Sequence, residues 1–115
     1  MSDLLAAVRS QETLSGVRHC VMLRFRDDVD KAAVVAEINK AIADLPEKIP
    51  EILQYSYGGD LGAADGNHDF ICVADFADVE GYKTYATHPA HVEFVTNIVK
   101  PVLAPGGRTA VQYAL

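Results

Sequence analysis

Ten residues from Val17 to Arg26 alternate strictly: Val17, His19, Val21, Leu23 and Phe25 on one parity, Arg18, Cys20, Met22, Arg24 and Arg26 on the other. Period two over that length marks a β-strand whose two faces meet different surroundings. The first face is apolar apart from one imidazole and calls for a helical layer. The second sets Cys20 and Met22 among arginines and is too apolar to be simply solvated. A sheet built on this strand has two faces to cover, and the rest of the chain must supply at least one cover.

The remaining periodicities supply one. After Asp27-Asp28, a helix capped by Asp28 or Asp30 carries Val34, Ile38, Ala41, Ile42 and Leu45 at helical steps and closes at Pro46 and Pro50. Ile52 to Tyr57 reads as a second strand ended by Gly58-Gly59-Asp60, and the loop from Leu61 to Asn67 is expected to be exposed and mobile. His68 to Phe76 forms a third strand with Phe70, Cys72, Ala74 and Phe76 on one face. Asp78 caps a helix bearing Val79, Tyr82, Tyr85 and Ala86, and Val92, Val95, Ile98, Val99 and Val102 continue a helical stripe. Pro105-Gly106-Gly107 reads as a turn before a short last strand, Arg108 to Tyr113. Tyr55 and Tyr57 share a face that parity alone does not assign.

The order is βαββαβ, an α+β, ferredoxin-like arrangement: an antiparallel four-stranded sheet with both helical segments on one face. The other face is left open, and a second copy of the same sheet is the economical cover. We therefore expect a homodimer through the open sheet face, with the arginines rimming the interface and pairing with acidic groups. Residues 17–115 make the domain, and residues 1–16 an N-terminal extension with a short amphipathic helix over 3–9 and a polar linker.

With 115 residues the chain has one core's worth of sequence. A formal net charge of −6 argues against nucleic acid, which needs a clustered basic face. No stretch approaches the length of a membrane span, and the start lacks the pattern of a signal peptide, so cytoplasmic residence is expected. Cys20 and Cys72 lack CxxC spacing and read as reduced thiols on opposite sheet faces.

The chemistry gathers in Tyr85-Ala86-Thr87-His88-Pro89-Ala90-His91. Proline has no amide hydrogen and disfavours helical dihedrals in the residue before it, so His88 is a boundary and Pro89 a first helical position. The break brings Tyr85 near His91. A phenol beside an imidazole is an acid/base pair suited to neutral pH, and His19 projects from the sheet face beneath the helices. Val21, Leu23, Phe25, Phe70, Tyr82 and Phe94 would wall an apolar pocket around them. The plainer alternative is a filled core in which His88 caps the helix and His19 and His91 bond to one another or to backbone. His88 and His91 stand three apart with no HExxH or CxxC frame, and we expect neither a metal site nor a cofactor.

The strand Arg18-His19-Cys20-Val21-Met22-Leu23-Arg24-Phe25, the join Ile49-Pro50-Glu51-Ile52, Tyr57-Gly58-Gly59, Asp75-Phe76 and above all Tyr85-x-x-His88-Pro89-x-His91 resemble the Dabb family, the stress-responsive dimeric α+β barrels. The resemblance spans about residues 17 to 113. It implies two ferredoxin-like chains facing sheet to sheet. The family's best-defined activity is that of olivetolic acid cyclase, a plant enzyme that closes a linear polyketide by an aldol step without metal or cofactor. By resemblance, His91 would be the base, Tyr85 its assistant and His19 a pocket residue, acting on a small apolar or aromatic ligand in cyclase, lyase or isomerase chemistry. That cyclase has a further pocket tyrosine in the first helix, where Asn39-Lys40-Ala41-Ile42 offers none. The resemblance also allows a non-catalytic, stress-responsive barrel with a filled core.

Overall fold

The computed structural model describes residues 16–115, and the helix expected over residues 3–9 lies outside them. The elements are β1 (Val17–Phe25), α1 (Lys31–Ile42), α2 (Leu45–Lys48), β2 (Gln54–Gly59), β3 (Phe70–Phe76), α3 (Val79–Thr87), α4 (Pro89–Phe94) and β4 (Leu103–Ala114). A π turn (Val95–Val99) and a 3-10 turn (Lys100–Val102) join α4 to β4. The strands form one sheet in the order β2-β3-β1-β4 with every neighbouring pair antiparallel, the ferredoxin-like arrangement that the alternation called for.

Alternation decides which residues face the helices. Val17, Leu23 and Phe25 of β1, with Phe70, Cys72, Ala74 and Phe76 of β3, are buried there. Tyr55 and Tyr57 lie opposite Ala74 and Cys72, which places them on the same side and assigns the face that parity had left open. Against this floor α1 lays Val34, Ile38 and Ile42, one turn apart. Ile38 and Ile42 are fully buried, and each contributes on the order of 2 to 3 kcal/mol by leaving water. The Asp30 carboxylate accepts from the Ala33 amide at 3.1 Å and caps the helix, worth about 1 kcal/mol.

The first helix is shorter than its periodicity implied. It ends at Ile42, and Pro46 opens the one-turn helix α2 instead of closing α1, because a first-turn proline sacrifices no helical hydrogen bond. Leu45 and Ile49 still reach the core from α2 and its end. In β2 the glycines stay within the strand. A Cβ on Gly59 would stand 2.8 Å from Cγ1 of Val35, so its bare backbone sets how closely α1 approaches the sheet.

The largest difference concerns the last strand. Pro105-Gly106-Gly107 is not a turn before it but an irregularity inside it. Phe25 pairs with Leu103 and Leu23 with Arg108, so β4 spends five steps where β1 spends two. Gly106 has φ +66°, and a Cβ on Gly107 would lie 2.4 Å from the Arg24 carbonyl oxygen. The odd number of extra residues reverses the parity of β4 beyond it. Arg108, Ala110 and Gln112 therefore lie opposite Leu23, Val21 and His19 on the helix side, while Thr109, Val111 and Tyr113 join the open face.

That open face is apolar at its centre. Met22, Ile71, Val111 and Tyr113 are all more than a third exposed, with Cys20 and Val73 between them. Arg18 holds Asp75 by a two-pronged pair at 2.8 Å and donates to the Tyr113 hydroxyl at 3.4 Å. Arg26 pairs with Asp28, and Arg24 donates to the Gly66 carbonyl. Cys20 on this face and Cys72 on the other are free thiols. No helix among the described residues is long and apolar enough to cross a membrane.

Candidate active site

The helix break works as the proline required. His88 leaves the helix at φ −62°, ψ 134°, gives its amide to the Tyr85 carbonyl at 3.2 Å, and its Nδ1 accepts from the Ala90 amide at 3.1 Å. One residue thus closes α3 and caps α4, and its ring is committed to backbone. The chain turns at this point, so residues on either side of the break face one another. The Tyr85 and His91 rings lie 4.2 Å apart between centroids, tilted by 41°.

The ring of His91 is oriented by a bond whose direction chemistry fixes. Its Nδ1 lies 3.2 Å from the Ala86 carbonyl oxygen, which can only accept, so Nδ1 carries the proton. The remaining lone pair is on Nε2. Burial lowers the His91 pKa, the Ala86 bond acts the other way, and the charges of Arg108 and His88 lower it further. His91 is thus a neutral imidazole at pH 7 with a free basic nitrogen.

His19 lies beneath, on β1, and is only 3% exposed. Gln112 across the ladder donates its amide Nε2 to His19 Nδ1 at 2.7 Å, which leaves the His19 proton on Nε2. Burial, then Arg108, then His91 push its pKa down to about 4, so it too is neutral. The His19 ring is 5.0 Å from Tyr82 and 6.2 Å from Tyr85 between centroids. Tyr85 itself is 3% exposed, and burial raises its pKa well above the ordinary phenol value, so its hydroxyl stays a donor.

These groups surround a cavity of about 250 Å³ lined by His19, Val21, Ile42, Cys72, Tyr82, Tyr85, Ala86, His91, Phe94 and Arg108. The three residues singled out from sequence line one space. Of the apolar walls expected, Val21, Tyr82 and Phe94 line it, whereas Leu23, Phe25 and Phe70 belong to the packed core. Burial holds the Cys72 thiol up at about 11, which makes it a wall and not a nucleophile. Among the described residues no three His, Cys, Asp or Glu side chains converge as a metal site would need.

Sequence reading missed Arg108 and Gln112. Polarity pointed the wrong way, since Val111 and Tyr113 are the large apolar residues of β4 beyond Gly107 and would ordinarily face the helices. Only the irregularity at Pro105-Gly106-Gly107 turns Arg108 and Gln112 inward.

Similarity to known proteins fits this fold. The chain is 31% identical over 85 residues to the stress-response A/B barrel domain-containing protein At5g22580 of Arabidopsis thaliana, covering 70% of this chain and 71% of that one. A dimeric ferredoxin-like protein from Thermobifida fusca superposes with a TM-score of 0.77 at 41% identity, covering 87% of this chain and 91% of that one. Hydroxynitrile lyase from Passiflora edulis shares the fold, with a TM-score of 0.73 at 21% identity over 89% of this chain and 94% of that one. The family model for the stress responsive A/B barrel domain matches residues 17–114. The chain belongs to the stress-responsive A/B barrel (Dabb) domain family.

Proposed function

We propose that two copies of this chain pair through their open sheet faces, and that each carries a cofactor-free acid/base site acting on a small carbonyl compound. His91 Nε2 takes a proton from the carbon next to the carbonyl. The electron pair moves onto the carbonyl oxygen, which the Tyr85 hydroxyl and the His19 Nε2–H stabilise as hydrogen-bond donors. In aldol chemistry the enolate carbon then attacks a second carbonyl carbon, and His91 returns the proton to the alkoxide oxygen so formed. In the reverse, lyase direction His91 takes that hydroxyl proton as the carbon–carbon bond breaks, and return of the proton to a different carbon is isomerisation. The observation that carries this reading is the bond from His91 Nδ1 to Ala86, which leaves a basic nitrogen free in a cavity of about 250 Å³.

The pairing reading is supported by the apolar centre of the open face and by the dimeric relative from Thermobifida fusca. An apolar cavity of about 150 Å³ is enough to accommodate benzene, so the space here suits a single substituted ring.

The test is exchange of the α-hydrogens of aryl ketones and β-diketones in deuterated water, followed by NMR. Wild type should accelerate exchange for at least one compound, and His91→Ala should lose about a hundredfold or more of it while remaining folded. Equal exchange by both proteins, or none by wild type over a broad panel, would reject the acid/base reading.

A further inference from the structure

Four arginines fall among the described residues, and three hold protein oxygens: Arg18 on Asp75, Arg24 on the Gly66 carbonyl and Arg26 on Asp28. Arg108 holds none among the described residues. It stands on β4, which is an edge strand, is exposed itself and lines the cavity that holds His19, Tyr85 and His91. It therefore marks the mouth. A guanidinium there works against protonation of both imidazoles, since its charge lowers the pKa of each.

The backbone makes a special provision for this placement. A regular ladder continued from Leu103 would turn position 108 to the open face. The left-handed Gly106 and the close approach of Gly107 to Arg24 turn it to the helix side instead. Bulges of this kind re-aim a side chain beside a site. The residue so aimed is a five-donor fork suited to a planar, two-oxygen anion.

Resting on the acid/base reading of the pocket, we propose that its substrate is a small carboxylate, held by Arg108 at the mouth with its reacting end between Tyr85 and His91. The cavity, at about 250 Å³, takes one ring bearing a carboxylate and a short arm. Arg108 is then a specificity-determining residue, and the carboxylate also offsets the positive charge that it sets beside the two histidines.

The experiment titrates benzoate and its neutral counterpart benzamide into isotope-labelled full-length protein, following resonances of the pocket residues. Wild type should bind benzoate at least tenfold more tightly than benzamide, with the preference shrinking as salt is raised. Arg108→Gln should erase the preference without weakening benzamide, and Arg108→Lys should restore part of it. Equal binding of the two probes, or a preference untouched by Arg108→Gln, overturns the carboxylate proposal and leaves the pocket reading standing. Shifts for neither probe at millimolar concentration, with wild type also inactive in α-hydrogen exchange, overturn both.

Discussion

Tyr85 and His91 sit six positions apart, on separate helices, with their rings 4.2 Å apart. An unbroken helix would set those positions about 120° apart around its axis, since six residues make about one and two-thirds turns. Pro89 and the capping His88 ring make the stack possible. The motif is thus a joint, and the joint brings together its phenol and its second imidazole.

The open face predicts its own disruption. Ile71 and Val111 are exposed in the single chain, so Ile71→Asp and Val111→Asp should leave the fold intact while placing charges in the proposed apolar interface. Light scattering should report a dimer for wild type and a monomer for the double variant. A monomeric wild type at micromolar concentration would reject sheet-to-sheet pairing.

Gly107 tolerates no side chain. A Cβ would overlap the Arg24 and Ala104 carbonyl oxygens, both of them backbone. Gly107→Ala should destabilise the fold by about 3 kcal/mol in urea unfolding and also weaken the benzoate preference by moving Arg108. A loss under about 0.5 kcal/mol would show that the irregularity in β4 is not built as described.

The Tyr55 hydroxyl is buried near Tyr85 and Cys72 without a hydrogen bond of ordinary geometry. Removing it relieves an unsatisfied polar group at no cost in shape, so Tyr55→Phe should stabilise the protein by about 1 kcal/mol. A destabilisation of that size in thermal unfolding would mean that the hydroxyl has a partner.

His19 makes stability depend on pH. The unfolded chain takes up its proton near pH 6.5, whereas the folded one resists until about 4, so between those values the unfolded state binds more protons. Stability from this group is present above pH 6.5 and falls as the pH is lowered toward 4, by on the order of 2 to 3 kcal/mol. His19→Gln should unfold with a shallower acid dependence over that window than wild type. Parallel curves would show that His19 titrates normally.

Much of this was legible in the chain. The alternation from Val17 to Arg26 assigned both faces of β1, and Pro89 assigned the break at His88. Burial of Ile38 and Ile42 followed from their four-residue step. What escaped depended on partners distant in sequence. Whether Pro46 ends one helix or starts another is settled by how Leu45 and Ile49 meet the core, and the side that Arg108 faces by the register of β4 against β1. Local pattern carries no register across an irregularity, and the polarity of Val111 and Tyr113 served the open face instead of the core.

The most direct test is the protonation state of His91 itself, read from the nitrogen-15 shifts and long-range couplings of its ring at pH 7. The ring should be neutral and protonated on Nδ1, with Nε2 as an unprotonated nitrogen whose shift moves when benzoate enters the pocket. A ring protonated on Nε2 alone, or one charged at pH 7, would contradict the acid/base site, because His91 would then have no free base to offer.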